Sequence, residues 1–136
     1  MARVKITYDE RILWGSKKAH CKNRPLTMIK VHNRSGPGSQ DVLGLLDTGA
    51  DYLTLDNKTS RWLNLDLKKC RKIPLVSATG HRNLYPYTDV DITIFNKRAT
   101  VMAILGVPGM PLIGRDTIWK FIDFGIDIDG WLYREI

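Results

Sequence analysis

The chain has 136 residues, 43% of them apolar, and a formal net charge of +7. That length suits one domain with a modest core. No window approaches the roughly 18 uninterrupted apolar residues of a membrane span, the opening Met1-Ala2-Arg3-Val4-Lys5 lacks the apolar stretch of a signal peptide, and two cysteines, Cys21 and Cys70, are too few for a disulfide scaffold.

In chain order, residues 1–22 precede the strongest pattern and read as an N-terminal extension, with residues 23–136 as the main domain. Leu26–His32 is β-rich and partly alternating, which predicts a strand. Residues 33–40 contain Ser35-Gly36-Pro37-Gly38 and read as a hairpin connection. Val42–Leu46 is an apolar strand that runs straight into Asp47-Thr48-Gly49-Ala50-Asp51. An acid that ends an apolar strand is held at the edge of a core, where desolvation raises a carboxyl pKa and readies it for proton transfer. Tyr52–Leu55 leaves this loop as a further strand. Asp56 or Asn57 caps a short helical turn that reaches Leu63.

Ile73–Ser77 and Tyr85–Phe95 are predicted strands with a glycine-containing turn between them. Ala99–Leu105 follows through an Asn96-Lys97 turn. Leu112-Ile113-Gly114 is a short buried strand, and Asp116–Phe121 fits one short helix. Asp129-Gly130 is a hairpin signal between Gly125–Ile128 and Trp131–Tyr133. Many short strands with little helix predict an all-β closed or sandwich-like barrel.

The basic residues fall in two clusters. One is Lys17, Lys18, Lys22, Arg24, Lys30 and Arg34; the other is Lys58, Arg61, Lys68, Lys69, Arg71 and Lys72. A small basic barrel that binds nucleic acid is one reading. Neither cluster interleaves aromatics for base stacking, so a solvated surface is the preferred reading and nucleic acid is not expected as a partner. His20, His32 and His81 show no metal-ligand spacing with the cysteines, so no metal is expected. The cysteines read as free thiols in a reducing compartment.

Four segments resemble the retropepsins, the aspartic proteases of retroviruses and related elements. Leu45-Leu46-Asp47-Thr48-Gly49-Ala50-Asp51 resembles their active-site loop. Asn23-Arg24-Pro25-Leu26 and the strand that follows are similar to the first strand of the lentiviral branch. Val76-Ser77-Ala78-Thr79-Gly80-His81 stands where the family has a flap tip, and Pro111-Leu112-Ile113-Gly114-Arg115-Asp116 is similar to the turn into its C-terminal helix. The segments occur in the family's order.

This resemblance implies a retropepsin-like closed barrel, active as a homodimer, that cleaves peptide bonds without a cofactor. Its chemistry needs two carboxylates sharing one proton, because like charges about 3 Å apart cannot both ionise, the established behaviour of aspartic-protease dyads. The chain has one Asp-Thr-Gly, so each subunit supplies one catalytic Asp47. By the same resemblance Thr48 bonds across the dyad, and Gly49 lets the backbone approach closely. Ala50, Asp51 and the flap residues Ser77, Ala78, Thr79 and Gly80 bind substrate; Arg115 pairs with Asp51, and Arg24 reaches the same region from the partner subunit. The implied substrate is a peptide or polyprotein, the implied location a virion or the cytoplasm, with no membrane partner. A cellular retropepsin-like protease and a catalytically silent binding module are the alternatives. The flap departs from the family in carrying one glycine, and the hairpin after Phe124 departs from its usual single terminal strand.

Overall fold

The computed structural model describes residues 4–7, 26–33, 37–76, 79–94, 96–127 and 130–135, with side chains described over 26–33, 37–76, 79–94 and 96–121. In chain order the elements are β1 (Val4–Thr7), β2 (Leu26–His32), β3 (Ser39–Leu46), β4 (Leu53–Leu55), α1 (Asn57–Trp62), β5 (Arg71–Val76), β6 (Arg82–Ile94), β7 (Lys97–Leu105), β8 (Leu112–Ile113), α2 (Arg115–Phe121), β9 (Ile122–Asp127) and β10 (Gly130–Glu135).

The main sheet runs β4-β7-β6-β2-β3-β8, with β5 added to β6. Period-two alternation places Ile29 and Val31 of β2 in the interior, fully buried, while Lys30 between them faces water. β6 and β7 join through Asn96, whose φ of 67° is the left-handed conformation that asparagine tolerates. The two end strands of the path close on each other: the Leu112 N–H of β8 donates to Thr54 Oγ1 of β4 at 2.9 Å. The sheet therefore curls into a nearly closed barrel around Leu53, Leu55, Ile92, Leu105 and Ile113.

The helices plug this barrel. Asp56 caps α1, its Oδ1 accepting from Thr59 N–H at 2.8 Å. Ser60 Oγ donates to the Asp56 carbonyl at 2.6 Å and accepts from Gly106 N–H at 2.9 Å, tying α1 to the end of β7. In α2, Thr117, Ile118 and Phe121 face inward and Trp119 is 58% exposed.

The barrel strands occupy the places that the sequence pattern predicts, with some boundaries extended by pairing. β3 starts at Ser39, three residues before Val42, because Ser39, Gln40 and Asp41 pair with His32, Val31 and Lys30. β6 starts at Arg82 because the β5 ribbon recruits residues 82–84 into its ladder. Neither extension buries apolar side chains, so neither carries an alternation signal. A second sheet, β1-β10-β9, pairs residues 4–7 of the N-terminal segment with the C-terminal hairpin, Val4 opposite Tyr133. Cys70 is a free thiol donating weakly to the Asp66 carbonyl at 3.6 Å, and Cys21 lies outside the described residues.

On the outer face of the barrel, His32 Nε2 is 2.6 Å from Thr93 Oγ1. Burial, with help from Arg98, holds the imidazole pKa below its ordinary value of 6.5, against the opposing pull of Asp91. The unfolded chain therefore takes up this proton at higher pH than the folded one. Stability contributed by neutral His32 is present above 6.5 and is lost as pH falls from there towards the lowered value. The melting temperature of His32→Gln should fall less between pH 7 and pH 5 than that of the wild type. Parallel melting curves for the two proteins across that window would show that His32 is not an acid-sensitive point.

Candidate active site

Strand β3 delivers the chain to Asp47, and backbone bonds shape the loop that follows. Gly49 N–H donates to Asp47 Oδ1 at 2.8 Å, and Ala50 N–H donates to the Asp47 carbonyl at 3.2 Å. A Cβ on Gly49 would stand 3.1 Å from Asp47 Oδ1, so glycine lets the amide approach the carboxylate this closely. Asp47 is half-buried, while Thr48 and Gly49 are exposed.

A distant segment holds this loop in place. Leu45 N–H donates to the Pro111 carbonyl at 2.9 Å and Asp47 N–H to the Ile113 carbonyl at 3.0 Å. On the far side, Arg115 N–H donates to the Ala50 carbonyl at 2.9 Å and Asp116 N–H to the Asp51 carbonyl at 3.0 Å. The two segments touch so closely at Gly114 that a Cβ there would meet Tyr52 N at 2.5 Å and the Asp51 carbonyl carbon at 2.6 Å. The Arg115 guanidinium also pairs with the Asp51 carboxylate. Their side chains are 45% and 65% exposed, so in the single chain this pair contributes under about 1 kcal/mol.

A cleft of about 800 Å³ opens beside the loop. Gly49, Ala50 and Asp51 line it; Asp47 itself does not. Its floor is apolar, from Ile104 of β7, Val107 and Pro108 beyond it, and Leu112 of β8. Its roof is the β5–β6 hairpin. Residues 82–86 of β6 pair with β5 alone, whereas residues 87–94 are anchored on β7. The outer half of the hairpin is thus a two-stranded ribbon, an arrangement of marginal independent stability and hence easily displaced.

At the ribbon tip Thr79 and Gly80 are exposed, Gly80 with φ of +86°, a value that favours glycine. Neither lines the cleft in this chain, whereas Val76 and His81 beside the tip do. Ser77, Ala78 and Arg24 lie outside the described residues. The sequence reading missed Tyr52, Thr54, Ile73, Leu75, Asn83 and Tyr85 as cleft residues. The β5 and β6 alternation was visible, but which face meets the cleft follows from the hairpin register. Among the described residues no group of His, Cys, Asp or Glu is placed to hold a metal ion, and no helix is long and apolar enough to cross a membrane.

One short barrel, one acid-bearing loop braced by a Gly-Arg-Asp turn, and a ribbon over an open cleft are the features of a retropepsin-like fold. Residues 21–122, three quarters of the chain, match the family model for retroviral aspartyl proteases, and the chain belongs to that family. A crystal structure of a retropepsin-like aspartic protease from Rickettsia conorii shares the fold, with a TM-score of 0.69 over 96% of this chain and 89% of that one, at 17% sequence identity. No curated protein matches the chain.

Gly114→Ala tests the brace. The added methyl must displace backbone on residues 51–52, since the atoms it meets are main-chain. We expect a loss of about 3 kcal/mol, within the range for overpacked interiors, read as a clear drop in melting temperature. A wild-type melting temperature would mean that the loop moves aside freely.

Proposed function

We propose that the chain is an aspartic endopeptidase that works as a homodimer, each copy supplying one Asp47. The observation that carries this reading is the single acid-bearing loop beside an open half-cleft. The loop's second acid, Asp51, is engaged by Arg115, and Asp116 sits on α2 with its backbone tied to that loop. A second copy of Asp47 across a two-fold axis completes a proton-sharing pair.

In this reading the ionised Asp47 takes a proton from a water while the resulting hydroxide adds to the scissile carbonyl carbon. The protonated Asp47 of the other copy gives its proton to the carbonyl oxygen. The tetrahedral intermediate then collapses as the first Asp47 passes the proton it took from water to the amide nitrogen, the C–N bond breaks, and the ionised Asp47 of the other copy takes back a hydroxyl proton as the carboxylic acid forms. Thr48 bonds between the two loops, Ala50 and Asp51 receive the substrate backbone, and the β5–β6 ribbon, with Ser77 to Gly80 at its tip, closes over it. Arg24 of each subunit supports the Asp51–Arg115 pair of the other.

The proposed substrate is a polyprotein of viral or retroelement origin, acted on in a virion or in the cytoplasm. Arg24-Pro25-Leu26 and the order of the four motifs, which resemble the lentiviral branch, support that reading. A cellular protease is the second reading, favoured by the bacterial source of the structure that shares this fold.

Two measurements test the proposal. Asp47→Asn should leave a folded protein whose pepstatin-sensitive peptide cleavage falls by a factor on the order of 10² to 10⁴ or more. Wild-type activity per milligram should fall on dilution below the dimer dissociation constant, tracked by sedimentation. Excess Asp47→Asn chains should poison wild-type activity by forming heterodimers with one acid. Full cleavage by Asp47→Asn, or constant specific activity in a species that sediments as a monomer, would overturn the shared-site mechanism.

A further inference from the structure

We infer that the flap side of the cleft selects a peptide side chain ending in a planar oxygen, a carboxylate or a carboxamide, and that Asn83 is the residue that reads it. The inference rests on the protease reading above and names a substrate feature for the same cleft.

On the β6 side of the ribbon only alternate residues line the cleft. His81, Asn83 and Tyr85 do so, whereas Arg82 and Leu84 do not. Asn83 stands opposite Leu75 and Tyr85 opposite Ile73, themselves cleft residues, and directly opposed residues share a face; on β5 Pro74 and Val76 reach the cleft as well, although their partners Leu84 and Arg82 do not. Leu84, opposite Pro74, is 63% exposed on the other face. The ribbon thus turns one polar rail and one apolar rail into the same cleft.

The side chains of His81, Asn83 and Tyr85 have no hydrogen-bond partner among the described residues, and neither has the Tyr52 phenol on the loop side of the cleft, whereas two other polar groups there are engaged. Asp51 is paired with Arg115, and Thr54 Oγ1 accepts from Leu112. The rail therefore offers unspent donors: a carboxamide NH₂, an imidazole N–H and a phenol O–H. The opposite wall is the apolar floor of Ile104, Val107, Pro108 and Leu112.

An extended peptide presents side chains to one face every second residue, about 6.8 Å apart. That is the repeat of the rail itself. A peptide lying along β6 sets alternate side chains against the polar rail and the intervening ones on the apolar floor. A side chain with a planar oxygen accepts from Asn83. An aliphatic one, on closure of the ribbon, strips water from these donors and leaves them unpaired, which costs more than a lost bond alone. Discrimination of this kind comes from the site's own polar groups rather than from size.

The test is cleavage of a mixed peptide library, read by mass spectrometry, followed by matched synthetic peptides. Wild-type protein should enrich Asp, Glu, Asn or Gln at one alternate position relative to the cut. Asn83→Leu should lower kcat/KM for the Gln peptide relative to its Leu counterpart by about fivefold, the worth of one such hydrogen bond. Asn83→Asp, nearly the same in size, should turn selection against acidic side chains and keep the carboxamide. Leu84→Ser, on the opposite face of the same strand, should leave the profile unchanged. No enrichment in the wild type, or the same profile in Asn83→Leu and Asn83→Asp as in the wild type, would overturn the inference while leaving the protease reading intact. An equal change in Leu84→Ser would also overturn it, because it would report ribbon stability rather than recognition. Absence of any pepstatin-sensitive cleavage would overturn the protease reading and this inference with it.

Discussion

Everything in the site depends on one place where two stretches of backbone pass within touching distance. Residues 45–51 and 111–116 exchange four main-chain hydrogen bonds of 2.9 to 3.0 Å, from Leu45, Asp47, Arg115 and Asp116. Gly114 makes the approach possible, since any side chain there would overlap residues 51–52. Each bond is worth about 1 kcal/mol net, and each group left unmade beside a core would cost more. The crossing therefore fixes where the Asp47 carboxyl stands, far more tightly than the short loop would by itself. The same segment supplies Leu112, which both floors the cleft and closes the barrel through Thr54.

Rigidity and mobility are divided along β6. From Tyr87 onward this strand is paired with β7, and residues 91–93 near its end also with β2, so it belongs to the barrel. Before Tyr87 it has only β5 for company. One continuous strand thus carries the roof of the cleft out from the core without a hinge of its own. Opening requires bending a two-stranded ribbon, which disturbs no buried cluster. The Asp47 loop, by contrast, sits on the braced side.

The openness of the single chain bears on how the site gains strength. The Asp51–Arg115 pair is exposed, and water screens it. In the proposed homodimer, a second copy over this region would lower the local dielectric and make the same pair worth more. Assembly and site formation are in that case one event. The six basic residues from Lys58 to Lys72 all face solvent and leave the cleft to groups of other kinds.

Much of this was legible in the sequence, for local reasons. Alternation in Leu26–His32, an aspartate before α1, an asparagine at the β6–β7 turn and an acid closing an apolar strand each act within a few residues of themselves. The Asp-Thr-Gly likewise marked the loop that the Gly114 crossing braces. The strand order was not legible, nor the pairing of residues 4–7 with β10, nor the Thr54–Leu112 seam. These join residues far apart in the chain, and no local period records a distant partner. The same holds for Asn83. The pattern of β6 says that its neighbours alternate, but only the fold of the ribbon over the barrel decides that Asn83 lines the cleft and Leu84 does not.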